Sequence, residues 1–268
     1  MEVNILIQKS DIETKIYDYI AQNNKLPSGK ILSQYYHCSE QTINYYLQKY
    51  DLRKKDIMCQ LPSNFIKSFE QMTPETSYWL GYLHADGCVN TTEKNRKRLV
   101  LECQEKDKEI LYNFCNYCDI NILRIKNTKH KDTKAVRLDL YSTNFSVFPD
   151  WIQSNKTYKQ ISLCDYPSNI NFYAFLNGLL DGDGTIHIGK NDQIIFLIQE
   201  PMCYEILDKL KEDLPVASSI WIQNHPTTET LKRITIGNHK NIVFIREKFY
   251  ENSKHSFLTR KKEKFYLI

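Results

Sequence analysis

One stretch of this chain occurs twice, and that duplication limits its folds more than any other feature. Residues 76–87 read Thr-Ser-Tyr-Trp-Leu-Gly-Tyr-Leu-His-Ala-Asp-Gly, and residues 173–184 read Tyr-Ala-Phe-Leu-Asn-Gly-Leu-Leu-Asp-Gly-Asp-Gly. Aligned on their last residues, they share Gly81 with Gly178, Leu83 with Leu180, Asp86 with Asp183 and Gly87 with Gly184. Each copy is apolar nearly all round, the mark of a buried helix. Gly81 and Gly178 leave room for two such helices to pack backbone against backbone. The endings are chemically unusual, because a carboxylate at a helix C-terminus opposes the helix dipole. Two such carboxylates brought together repel, which a divalent cation with hard oxygen ligands would relieve. A single copy is better described as a glycine-capped core helix; two copies ending in the same Asp-Gly are not.

The repetition extends beyond these helices. Leu99–Glu105 (Leu-Val-Leu-Glu-Cys-Gln-Glu) matches Ile194–Glu200 (Ile-Ile-Phe-Leu-Ile-Gln-Glu). Glu109-Ile-Leu matches Glu205-Ile-Leu, Arg137-Leu-Asp-Leu matches Arg233-Ile-Thr-Ile, and Val147-Phe matches Val243-Phe, all at a nearly constant offset. Such a series marks an internal structural repeat. Apolar periodicity predicts strands near 87–91, 97–104, 121–127 and 135–141, and again near 184–189, 193–199, 218–223 and 231–236. Helices are predicted at 106–118, 143–152, 201–212 and 239–249. Each unit then reads helix, strand, strand, helix, strand, strand, helix.

The two segments Trp79–Gly87 and Leu176–Gly184 resemble the nine-residue motif of the LAGLIDADG homing endonucleases, and the resemblance covers about residues 73–268. The first copy departs from the motif at Tyr82 and at His84, where the family often has a second Asp. The resemblance implies an α+β fold: two pseudo-symmetric αββαββα units, 73–165 and 166–268, whose curved antiparallel sheets form a saddle over DNA. It implies that Asp86 and Asp183 are the catalytic acids. It also implies a Mg²⁺ site at Asp86, Asp183, Gly87 and Gly184, with Mn²⁺ as a substitute. The implied reaction is hydrolysis of both strands of double-stranded DNA. Lys156, in Asn-Lys-Thr, and Lys261, in Thr-Arg-Lys, resemble the family's basic residues near the phosphates and are expected to help electrostatically. A solvated basic loop is the alternative for both. Gln104 and Gln199 end paired strands and could hold a water network, with ordinary strand-end polarity as the alternative. Arg137 and Arg233 are expected to face DNA from the sheets. His84 invites a general-base role, but a satisfied core histidine is the better reading.

The N-terminal residues 1–52 are of a different kind. Residues 11–22 predict a helix on Ile12, Ile16 and Ile20, 30–36 a second, and Ser39 caps a third whose inward face is Ile43 and Leu47. The pattern from Ile31 to Leu47 resembles a helix-turn-helix module, in which Ser39, Gln41, Thr42 and Tyr45 would face DNA; a small helical domain without DNA contact is the bland alternative. Residues 53–72 read as a linker.

The formal net charge of +4 is mild and compatible with a nucleic-acid partner. No stretch approaches a membrane span and no signal-peptide core is present, which points to cytoplasm or another reducing, DNA-containing compartment. The eight cysteines are scattered. Only Cys115 and Cys118 form a pair, at helical spacing without a second pair, and read as buried thiols. Pseudo-symmetry within one chain predicts a monomer. The rival to a nuclease is a DNA-binding regulator or RNA splicing helper on the same scaffold, favoured mildly by His84 and the N-terminal module.

Overall fold

The computed structural model describes residues 7–23, 26–50, 52, 65, 67–91, 97–130, 133–142, 161–189, 192–225, 231–251 and 254–268. They fall into two compact units, 1–61 and 62–268.

In the first unit, α1 (Lys9–Asn23), α2 (Gly29–Tyr36) and α3 (Glu40–Lys49) enclose a small core of Ile7, Ile12, Ile16, Leu32, Ile43, Tyr46 and Leu52. The Ser28 and Ser39 hydroxyls accept the Ile31 and Thr42 amides, so α2 and α3 both start on a side-chain cap. Between them His37 takes a left-handed conformation (φ 50°), and the Cys38 amide returns to the Ser33 carbonyl. Leu47 is partly buried against this core.

The second unit contains the repeat. Helix α4 (Pro74–Asp86) leads into β1 (Cys88–Thr91), β2 (Lys97–Gln104), α5 (Glu109–Tyr117), β3 (Ile125–His130) and β4 (Thr133–Ser142). Helix α6 (Phe172–Asp183) leads into β5 (Thr185–His187), β6 (Gln193–Gln199), α7 (Met202–Asp213), β7 (Ile220–Asn224), β8 (Leu231–Ile236) and α8 (His239–Arg246). The predicted helix at 143–152 lies outside the described residues. The two sheets are wired alike, β1-β2-β4-β3 and β5-β6-β8-β7, with antiparallel neighbours throughout. This is the two-unit α+β arrangement expected from the repeat.

Several expectations need correction. Strand β3 begins at Ile125, because a short 3-10 turn occupies Ile122–Arg124. Residues 65–72 fall within the expected linker 53–72, yet Phe65 and Phe69 are buried against Phe114 and Tyr117 of the second unit. Residues 53–64 lie outside the described set. A further helix, α9 (Thr259–Phe265), follows α8 and a π turn at Glu247–Glu251.

Strand alternation gives each sheet one covered and one open face. In the first sheet Leu99, Leu101, Val136, Leu138 and Leu140 are buried. Register then places Asn90, Arg98, Glu102, Gln104, Arg137 and Asp139 together on the opposite face. In the second, Ile194, Phe196, Ile198, Ile234 and Ile236 are buried, and Thr185, His187, Gln193, Trp221, Gln223 and Arg233 share the other face.

Candidate active site

The site begins with how α4 and α6 meet. Thr73 and Asn171 cap their N-termini through side-chain oxygens that accept the Thr76 and Ala174 amides. Along the contact, a Cβ on Gly81 would lie 2.0 Å from the Phe175 carbonyl oxygen, and one on Gly178 would lie 2.0 Å from that of Tyr78. Only glycine permits two backbones this close. The flanking side chains (Tyr78, Leu83, Leu176, Leu180) are buried on all sides.

Both helices stop at their aspartates. The Gly87 amide donates to Leu83 and the Gly184 amide to Leu180, each at 2.9 Å. Neither glycine is left-handed: φ is −72° at Gly87 and −83° at Gly184. The requirement is space, since a Cβ would lie 2.5 Å from the Leu83 carbonyl oxygen in one case and 2.4 Å from a Leu180 methyl in the other.

Asp86 and Asp183 thereby open into one cleft of about 590 Å³. Its walls include Tyr82, Gln104, Lys106, Asp107, Gly182, Gly184, Arg260, Lys261 and Lys264. Asp86 is half-buried and Asp183 exposed. The Asp86 carboxylate packs over Gly182, 3.5 Å from where a Cβ would stand. Two carboxylates in one cleft suit a hard divalent cation, because Mg²⁺ is usually held by one or two protein carboxylates and completed by substrate phosphates and water. Among the described residues no group of three or more His, Cys, Asp or Glu side chains could hold a metal alone.

Lys261 differs from expectation. Its side chain is buried, and Nζ donates to the carbonyls of Leu180 (2.5 Å) and Asp181 (2.8 Å), with Gly182 at 3.4 Å. The ammonium therefore closes the C-terminal end of α6, where a cation offsets the dipole. Burial lowers its pKa. Beside it Asp181 is buried, accepts the Tyr78 hydroxyl (2.8 Å) and the Leu258 amide (2.7 Å), and is pushed up to about 6 by desolvation. Lys156, the other expected helper, lies outside the described residues.

The remaining expected residues divide. Gln104 lines the cleft, whereas Gln199 is buried outside it and its Oε1 finds no hydrogen-bond partner among the described residues. Arg137 sits on the open face but is held by Asp139 (3.0 Å) and Glu102 (3.8 Å). Arg233 is on the matching face with Nε buried. His84 is buried, with Nδ1 2.6 Å from the Tyr166 hydroxyl, which fits a core role. Cys115 and Cys118 are buried free thiols. In the first unit Ser39, Gln41 and Tyr45 are exposed and Thr42 is half-buried; the Ser39 hydroxyl is engaged by the Thr42 amide and hydroxyl.

Sequence reasoning missed Arg260 and Lys264 as cleft residues. Arg260 grips Asp107 in a bidentate pair (2.8 and 2.9 Å). Their signal was the i, i+4 spacing of Arg260 and Lys264 in the basic-rich stretch 260–264, which puts both on one face of a helix.

No family model matches the chain, and no curated protein matches it. Solved structures do. One is the crystal structure of the I-LtrWI LAGLIDADG homing endonuclease bound to target DNA, 13% identical, covering 75% of this chain and 89% of that one, with a TM-score of 0.46. A second is the LAGLIDADG meganuclease I-AabMI bound to uncleaved DNA, 11% identical, covering 72% and 88%, with a TM-score of 0.47. A third is the LAGLIDADG homing endonuclease I-GzeII in complex with its DNA target, 11% identical, covering 73% and 88%, with a TM-score of 0.46. Over most of its length, the chain resembles LAGLIDADG homing endonucleases.

Proposed function

We propose that this protein is a site-specific endonuclease that cuts both strands of double-stranded DNA with the help of a divalent cation. The observation that carries this reading is the convergence of Asp86 and Asp183, from two copies of one helix, on a single cleft between two identically wired sheets.

Each acid would serve one strand. Asp86 and Asp183 would hold Mg²⁺, or Mn²⁺ in its place, and the ion would activate water and neutralise charge on the scissile phosphate. Gln104, which lines the cleft, would orient a water there. Lys106, Arg260 and Lys264 add positive potential there, and Lys261 keeps the end of α6 intact so that Asp183 stays aimed. The polar open faces of the sheets, with Arg98, Arg137 and Arg233, would lie along the duplex. The α2–α3 pair would act as a helix-turn-helix, with Gln41, Thr42 and Tyr45 facing DNA, lengthening the site and adding salt-dependent affinity. One chain carries both acids, so a monomer suffices. Burial of His84 against Tyr166 removes one argument for a binding protein without cleavage.

The test is selection of bound duplexes from a randomised pool, followed by Mg²⁺ challenge of the winners. Cutting of both strands is the expected result, with Asp86→Asn and Asp183→Asn each abolishing the double-strand cut while binding is retained and one strand is still nicked. Tight specific binding with no cutting in Mg²⁺ or Mn²⁺ would leave a DNA-binding regulator.

A further inference from the structure

Arg137 and Arg233, matched by the repeat, stand at equivalent register positions in different chemical company. Arg137 is opposite Glu102 of β2 and Lys126 of β3, and Asp139, two residues along β4, shares its face. Arg233 is opposite Leu197 of β6 and Gln223 of β7, and Thr235 takes the place of Asp139. The first sheet therefore sets two carboxylates around its arginine, where the second has none at those positions.

Those carboxylates hold the guanidinium. Nε donates to Asp139 Oδ1 at 3.0 Å, and Nη1 lies 3.8 Å from Glu102 Oε2. The Thr128 hydroxyl donates to Glu102 (3.4 Å), and Lys126 Nζ lies 3.9 Å from Asp139 Oδ2. The Asp139 side chain is only 11% exposed, against 26% for Arg137, so the arginine is the member of the pair that a ligand reaches. With Nε engaged, it is the Nη end of the planar fork that meets the ligand.

The formal charges of Glu102, Lys126, Arg137 and Asp139 cancel. A phosphate gains little from a neutral group and is repelled by its two acids. A base edge is itself neutral and binds through hydrogen-bond geometry, and a guanidinium already held in one orientation loses little freedom on meeting it. In the major groove guanine offers O6 and N7 as paired acceptors, whereas adenine sets its N6 donor against the fork.

We propose that Arg137, positioned by Asp139 and Glu102, is a specificity-determining residue that reads the guanine of one G·C pair. This rests on the endonuclease reading, in which the open faces of the sheets lie along the duplex. Glu102 also lines the cleft that contains Asp86, so the pair that is read lies in one half of the site, beside the cut.

The experiment uses the full-length protein and its selected duplex with each base pair varied singly. Thermal unfolding and cutting of each strand are measured alongside. For wild type, replacing one G·C pair beside the cut should weaken binding about tenfold. Arg137→Ala should treat all four base pairs at that position alike to within twofold and keep its preferences elsewhere. Asp139→Asn keeps an acceptor for Nε but removes the charge. It should bind unrelated duplexes more tightly, with a steeper salt dependence, which a merely structural role would not produce. An Arg137→Ala protein that binds every duplex more weakly by one common factor, or that binds as wild type does, would overturn the proposal. Unchanged binding by Asp139→Asn would overturn the positioning role. These results leave the endonuclease reading intact where wild type cuts both strands. A wild type that binds its duplex specifically and cuts neither strand refutes the endonuclease reading, while the Arg137→Ala preferences still decide the guanine contact.

Discussion

Gly81 and Phe175 are in backbone contact across the two motif helices, so that a methyl on Gly81 would stand 2.0 Å from the Phe175 carbonyl oxygen. Gly178 has the same relation to Tyr78. Neither carbonyl can yield without parting the helices. Gly81→Ala and Gly178→Ala should each cost about 3 kcal/mol or more of unfolding free energy, at the upper end of overpacking. Gly189→Ala, which meets nothing within 4 Å, should stay within about 0.5 kcal/mol of wild type. Urea titration of the three variants decides the matter, and equal midpoints would refute the close contact.

Lys261 should behave as a structural cation. Lys261→Met leaves the carbonyls of Leu180 and Asp181 buried without their donor and removes the nearby positive charge that favours the ionised Asp181 carboxylate. The expected loss is about 3 kcal/mol. Lys261→Arg should not restore stability, because a planar fork does not fit a site that receives a compact ammonium. Full stability of the methionine variant would refute the structural role and leave Lys261 as the electrostatic helper expected from the sequence.

Acid should weaken this protein through His255. Its ring is buried and stacks on Tyr78 with centroids 5.3 Å apart, and desolvation lowers its pKa below the ordinary 6.5. Below pH 6.5 the unfolded chain binds this proton more readily than the folded one. Stability from a neutral His255 is thus present above pH 6.5 and lost as pH falls through the window between 6.5 and the lowered folded value. Comparing wild type with His255→Gln from pH 8 to pH 5 should show the difference in stability shrinking towards the acid end. A constant difference would exclude His255 as the titrating group.

In the N-terminal unit, capping and DNA contact are separable. Ser39→Ala should cost about 1 kcal/mol of helix stability through the lost Thr42 amide bond. Gln41→Ala and Tyr45→Ala, at exposed positions, should leave the melting temperature unchanged and weaken binding to the selected duplex. If both also leave affinity unchanged at every salt concentration, α3 is not the DNA-facing helix.

Sequence pattern made the two helices and most of the strands legible, because buried apolar runs and alternation are local signals. Asp86 and Asp183 were legible for a different reason: each repeats the other. The buried position of Lys261 was not, since a run of basic residues reads as solvated until a helix at Thr259–Phe265 turns one of them inward. Phe65 and Phe69 were missed because the surrounding residues read as a connection, and only a long-range contact with Phe114 and Tyr117 gives them a place. The pairing of Arg137 with Glu102 likewise depends on cross-strand register, which residue type alone does not set.

The last described segment reaches back across the repeat. Ser256 donates to Glu75, the Thr259 amide to Glu109, and Arg260 to Asp107, while Leu258 reaches Asp181. The first half is therefore clasped by residues that follow the second repeat in the chain. Recombination that exchanges second halves between related genes would deliver a foreign clasp to Glu75, Asp107 and Glu109. Viable chimeras should be those that inherit these three acids together with the tail that fits them, so the two halves are constrained to diverge as a matched set.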